Sequence, residues 1–289
     1  MLKDSEIQAL VKLLDDEDRQ VLRHVEGKLK SLGPDVIPSL ENVWTTELNP
    51  LQHERLESII HEIQFTSLTD DLQQWKDGEE QDLLFGFYLV SRFYYPDARF
   101  EDVQKQIFKL RQTIWLELNN NQKPLDQVKV FNSIFFGYLG FSGQQLSEDP
   151  KAYCLPFVLD HKEGCSISLG LLYQVLANEL NLPVYGVPLL RYFVLAFTKR
   201  FLTEFENSNE ISNDVAFYIN PANRGTIFTS KEITDYLKKM NVAEAVRNYN
   251  PAPNAELLLE LVTYMRDLAG YKKKESEESE LNRWIEILS

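Results

Sequence analysis

One run of the chain, residues 157–199, limits its possible folds more than any other. An acidic turn ending in Gly164 leads into a segment whose apolar residues Ile167, Leu171, Leu172, Val175 and Leu176 keep the spacing of a helix. Leu182 and Pro183 break that helix. Two short runs follow, VYGV from Val184 and YFVLAF from Tyr192, each of strand length and rich in β-branched and aromatic residues. The pattern predicts a central helix entered through a glycine turn and followed by a pair of strands.

Length and composition set the outer bounds. At 289 residues, with 44% hydrophobic and 12% aromatic content, the chain can hold two domains, or one domain with helical additions, around a sizeable core. Its 30 basic and 44 acidic side chains leave a formal charge of −14. That balance opposes nucleic acid, whose phosphates require clustered lysine and arginine, and it opposes an anionic membrane for the same reason. Residues 1–20 lack a basic region followed by an apolar core, and nowhere is there an apolar run of spanning length, so a cytoplasmic protein is expected. Only Cys154 and Cys165 are present, too few for a disulfide framework or a structural zinc site. His24, His53, His61 and His161 supply no metal motif, since HEIQF from His61 lacks the second histidine of a zincin. No metal and no cofactor are expected.

Helical spacing recurs along the first 65 residues: Ile7, Leu10, Val11 and Leu14, then Val21, Val25, Leu29 and Leu32. Asp15 and Asp16 are candidate caps for the second helix, Gly33 and Pro34 end it, and a third helix occupies residues 36–44. Asn49 followed by Pro50 reads as the start of a fourth, with Leu56, Ile59, Ile60 and Ile63 on its buried stripe. Two such hairpins resemble HEAT-like repeats. Residues 81–95 predict a helix buried on several sides. A further helix carries Val103, Ile107, Leu110 and Ile114 on one face, and another spans 124–141. Residues 140–150 read as a turn-rich loop, 208–214 as a polar connection, and 215–219 as a third strand. Thr229 with Glu232 forms a capping box for a helix over 230–240, and two more helices complete the chain over 253–270 and 272–288.

Three segments carry a family resemblance. KEGCSISLGLLY from Lys162, LNLPVYGVPLLRYFVLAF from Leu180 and FYINPANRGTIF from Phe217 resemble segments reading RGNPISLALLY, LGLPVYGVNLPGHFLLRY and YINPFNRG in the bacterial transglutaminase-like core family of the SirB type. The resemblance covers most of the chain and is strongest over residues 153–236. It implies a papain-like core that presents a nucleophile at a helix N-terminus and a base on the neighbouring sheet. It also implies helical repeats beside that core. The cysteine position of the family's GxC turn falls on Ser166, where the SirB type commonly carries proline. The histidine of GHF falls on Tyr192, and the acidic residue of the third strand on Asn220.

These substitutions remove the expected chemistry together. A thiolate mechanism needs a thiol, an imidazole to hold its charge and a carboxylate or amide to orient the imidazole. A serine without a base is an unactivated alcohol, and a phenol, with an ordinary pKa of about 10, is no proton acceptor near neutral pH. Cys165 with His161 is the alternative nucleophile and base. The one-residue offset from Ser166 turns Cys165 by about 100°, away from the strand that carries Tyr192. Asn220, Pro221, Asn223, Arg224 and Gly225 fit turn chemistry, although Arg224 has the charge to bind a carboxylate.

The expected architecture is mostly helical α+β, with a small antiparallel sheet. It divides into a HEAT-like layer over 1–80, a helical subdomain over 81–150, a degenerate transglutaminase-like core over 151–240 and a helical cap over 241–289. The expected function is binding of a protein or peptide partner by a catalytically inactive member. The alternatives are a weak cysteine hydrolase or acyltransferase using Cys165, and a purely structural scaffold.

Overall fold

The computed structural model describes residues 4–45, 48–119, 121–189, 192–201, 214–239 and 249–289. Most of the connection expected over 208–214, and Met240, lie outside them. The chain divides into two units, Met1–Asp71 and Leu72–Ser289.

In the first unit, α1 (Asp4–Lys12), α2 (Arg19–Lys30), α3 (Ile37–Trp44) and the first part of α4 (Pro50–Asp77) converge on one apolar cluster. Ile7, Val11, Leu14, Val25, Leu29, Leu40, Leu56, Ile59 and Ile63 are buried there, as their spacing predicts, while Leu10, Val21, Leu32 and Ile60 are only partly covered. The cap of α2 is Asp18, whose carboxylate accepts the Gln20 N–H at 2.7 Å, and not Asp15 or Asp16. A turn of 3-10 helix over Leu13–Asp15 continues α1 and moves the next helix start downstream. At α4, Asn49 and Gln52 exchange hydrogen bonds, side chain to backbone N–H in both directions, at 2.9 and 3.1 Å. This reciprocal box satisfies two amides that the helix start leaves open.

The second unit is built around one helix. It comprises α5 (Leu83–Ser91), α6 (Phe100–Trp115), α7 (Pro124–Asn132), α8 (Leu155–His161), α9 (Ser166–Glu179), α10 (Ser230–Lys239), α11 (Asn254–Tyr271) and α12 (Glu275–Leu288). Every residue of α9 from Ser166 to Ala177 is buried. An α-helix apolar on all sides must be surrounded, and α5, α6, α8 and α11 share that task with a sheet. The sheet is antiparallel, in the order β3 (Val184–Leu189), β4 (Tyr192–Thr198), β5 (Val215–Asn220), β6 (Thr226–Phe228). Gln174 ties it to the helix, its side-chain oxygen accepting the Gly186 N–H at 2.7 Å. The architecture is α+β and mostly helical, as the pattern predicts.

Three features depart from the sequence reading. Residues 124–141 are not one α-helix: α7 gives way to a π-helical turn, Ser133–Tyr138, in which Phe135 stacks on Phe141 at 4.3 Å. The expected loop over 140–150 contains β1 (Ser142–Gln144), which pairs in parallel with β2 (Glu163–Cys165) where only a turn was expected. Helix α8 lies just before it. Strands of three residues are too short to show a period of two. Their pairing rests on close backbone approach, since a Cβ on Gly143 would lie 2.2 Å from the Gly164 carbonyl oxygen.

Behind the sheet, a relay locks the turn that joins β5 to β6. The buried Tyr173 hydroxyl donates to Asn132 Oδ1 at 2.9 Å, and Asn132 Nδ2 donates to the Gly225 carbonyl at 2.8 Å. Gly225 has φ +71°, and a Cβ there would lie 2.3 Å from Asn132 Oδ1. Asn132→Ala strands a buried hydroxyl and should cost about 2 kcal/mol in urea unfolding. Gly225→Ala should cost about 2 kcal/mol from backbone strain and overlap, and less than that in the Asn132→Ala background. Additive costs would show that the two positions do not touch.

Candidate functional site

The N-terminus of α9 is built by residues 142–168. Cys165 is its cap: the Cys165 N–H donates to Ser168 Oγ at 3.0 Å, and Ser168 Oγ donates to the Ala152 carbonyl at 2.7 Å. Ser166 follows in the first helical turn. Its hydroxyl donates to the Gln145 carbonyl at 2.8 Å and accepts from Gln145 Nε2 at 3.2 Å. Ser166 is 1% exposed. Its proton is committed to a peptide carbonyl, which is not a base.

Gln145 is the link from Ser166 to a cavity of about 300 Å³ that opens between β4, β5 and α10. Leu189, Val194, Phe228 and Ile233 form its apolar walls, and Gln145, Tyr192, Asn220 and Glu232 are its polar residues. Tyr192 opens β4 and Asn220 closes β5. Thus Tyr192 and Asn220 line one space, and Ser166 bonds to a third residue of the same lining. Asn220 Oδ1 accepts the Ala222 and Asn223 N–H groups at 3.0 and 3.2 Å, which turns the chain into the loop held by Gly225. Arg224 takes a left-handed conformation, φ +48°, and its guanidinium donates to the Phe136 carbonyl at 3.3 Å. The loop residues therefore perform turn chemistry.

Among the described residues, Glu232 is the one acidic residue in this lining. Its Oε2 accepts both the Thr229 N–H and the Thr229 hydroxyl, at 2.7 and 2.8 Å, and these bonds hold the carboxyl below its usual range. A carboxylate so stabilised is a poor proton acceptor.

Cys165 and His161 are not brought together. The Cys165 thiol is fully buried, 3.8 Å from the Ala152 carbonyl and 3.4 Å from Ser168 Oγ. Burial pushes it up to about 11, with the Ser168 hydrogen bonds pulling partly the other way. His161 is exposed at the end of α8, where its Nδ1 lies 3.1 Å from the Phe157 carbonyl and its ring stacks on Phe157 at 4.2 Å. The Cys154 thiol is also buried and raised by desolvation. Among the described residues there is no group of three or more His, Cys, Asp or Glu that could hold a metal ion. None of the described helices is long and apolar enough to cross a membrane.

The sequence reading did not single out Gln145 or Asn132. Each acts through pairing with a residue distant in sequence, Ser166 for one and Gly225 with Tyr173 for the other, and neither stands in a motif. Phe228 and Glu232 were visible only as a strand end and a helix cap.

A helix N-terminus set beside an antiparallel sheet, with a cavity against the strand ends, is consistent with the core that the sequence resemblance implies. A family model described as the transglutaminase-like superfamily matches residues 101–263, more than half of the chain, and the chain belongs to that superfamily. It is also 24% identical, over 149 residues, to a UPF0162 protein of Vibrio cholerae serotype O1 (strain ATCC 39315 / El Tor Inaba N16961). The match covers 51% of this chain and 51% of that protein, so the chain spans about half the length of the curated relative it matches. No solved structure matches it.

A thiol that ionises near 11 has about one part in a thousand as thiolate at pH 8. Iodoacetamide should therefore modify native Cys165 slowly from about pH 6 to 8, and quickly once urea opens the fold. Fast, single-site labelling of the native protein at pH 6 would mean that Cys165 is an accessible thiolate.

Proposed function

We propose that this chain is a catalytically inactive transglutaminase-like protein of the SirB type, which binds a peptide-like segment of a partner protein in the cavity beside Tyr192 and Asn220. The observation that carries the reading is the hydrogen bonding of Ser166. The residue at the nucleophile position of the resemblance gives its proton to the Gln145 carbonyl, and the cavity next to it is lined by a phenol, two amides and a capped carboxylate. Groups of this kind recognise peptide; they do not activate a nucleophile. The buried, protonated Cys165 supports the same reading against a hydrolase. The apolar walls suit one hydrophobic side chain, and the amides of Gln145 and Asn220 suit the peptide groups flanking it.

The division into a HEAT-like layer over 1–80, a helical subdomain over 81–150, the degenerate core over 151–240 and a cap over 241–289 belongs to this proposal. The helical hairpins of residues 4–45 support its first part.

Thermal-shift measurements with a panel of capped tetrapeptides test the binding. Sequences with a single large apolar side chain should raise the melting temperature of the native protein and leave Phe228→Glu, which places a second carboxylate in the cavity wall, unmoved. Peptide hydrolysis or ammonia release by the native protein that disappears in Cys165→Ala would overturn the proposal.

The geometry is tested by restoring the missing groups. In a Cys165→Ala background, Ser166→Cys alone should keep an elevated or ordinary thiol pKa, because a thiolate needs a cationic partner. Adding Tyr192→His should lower it, and adding Asn220→Asp should lower it further by orienting the imidazole. The pH dependence of alkylation at position 166 measures this. Identical curves in the single, double and triple variants would show that positions 166 and 192 do not face each other.

A further inference from the structure

The capping box at the start of α10 uses one carboxylate oxygen of Glu232 and leaves the other. Oε2 accepts both the Thr229 N–H and the Thr229 hydroxyl, at 2.7 and 2.8 Å, while the Glu232 N–H donates to the Thr229 hydroxyl at 3.4 Å. Oε1 makes no hydrogen bond or ion pair with a described residue. Glu232 also lines the cavity of about 300 Å³ beside Tyr192 and Asn220. A carboxylate with an open oxygen at a cavity suits a hydrogen-bond donor, and a cationic donor most of all.

That carboxylate is the only charge the described lining presents. Strands β3, β4, β5 and β6 carry no charged side chain. On α10, Glu232 and Ile233 both line the cavity, so the face turned to it lies between them, and Lys231 and Lys238 are about 150° and 170° away in azimuth. The Arg224 guanidinium is turned to the Phe136 carbonyl at 3.3 Å. Arg191 is outside the described residues. A ligand that fills the cavity therefore meets apolar walls and one negative group.

Resting on the peptide-binding reading above, we propose that the segment bound here carries an ammonium group next to its apolar side chain, with the side chain against Phe228 and Ile233 and the ammonium on Glu232 Oε1. The ammonium belongs to the free amino end of a chain or to a lysine, which offer a carboxylate the same chemistry. An acidic segment would set a second carboxylate against Glu232, and a neutral one would leave the carboxylate without a counter-charge. A volume of about 300 Å³ is the lower end of the range for ligand pockets, which suits a chain end or one residue with its neighbouring peptide groups.

Titration calorimetry of the native protein with leucyl-triglycine amide tests this. The forms compared are the free amine, the acetylated peptide, the succinylated peptide, and an acetylated peptide with lysine in place of the first glycine. Glu232→Gln is the matching variant. Glutamine serves at the same position of a capping box, so α10 keeps its start, and an unchanged melting temperature verifies it.

At least one ammonium form should bind about fivefold more tightly than the acetylated peptide, the advantage an exposed ion pair can give, and the succinylated form should bind least. In about 1 M salt the advantage should shrink, because screening there acts beyond about 3 Å. In Glu232→Gln the ammonium and acetylated forms should bind alike. The tighter of the two ammonium forms identifies the source, a chain end or a lysine. If the acetylated peptide binds as tightly as both ammonium forms, this inference is overturned and the peptide-binding reading stands, whereas failure of every form to bind overturns both. The inference also falls if the succinylated form binds most tightly, which would assign the cavity to an anion, or if the ammonium preference survives in Glu232→Gln.

Discussion

The burial of α9 governs the second unit. A helix with no solvent-facing side cannot leave its polar side chains unpaired, because each buried orphan costs about 1–3 kcal/mol. Four such groups lie along it, and each reaches a different neighbour. Ser166 reaches Gln145, Ser168 reaches Ala152, Tyr173 reaches Asn132, and Gln174 reaches Gly186. The hydrogen bonds thus fix the loop before the helix, the end of α7, and the first strand of the sheet relative to one axis.

The same bonds shape the site. The relay from Tyr173 through Asn132 to Gly225 holds the turn after β5, and that turn sets where Asn220 meets the cavity. At the other end, parallel pairing of β1 with β2 delivers Gln145 to the start of α9. Cys165 and Ser166, adjacent in sequence, part company there. The cap residue turns inward to Ala152 and Ser168, while the first helical residue turns toward Gln145 and the cavity lining. A thiol facing inward at that place loses its solvation and keeps its proton.

Much of the helical framework was legible in the sequence. The apolar stripes of α1, α2, α4 and α6 fell where their three- and four-residue spacing put them, because burial of one face enforces that period. The longer strands β3, β4 and β5 were legible from their length and their β-branched and aromatic content, and the box of Thr229 with Glu232 from partners that lie three residues apart. Strands of three residues and the π-helical turn after α7 were not, since neither contains a full period of any pattern.

What the sequence by itself determined, then, is whatever depends on neighbours within about two helical turns or one strand: the elements, their buried faces, and the residue types at positions 165, 166, 192 and 220. Tertiary structure alone decided which of these residues share a space. Gln145 and Ser166 are 21 positions apart, Tyr173 and Asn132 are 41 apart, and Asn132 and Gly225 are 93 apart. No local periodicity encodes contacts at such separations; they exist because a fully buried helix must find hydrogen-bonding partners wherever the packed chain supplies them.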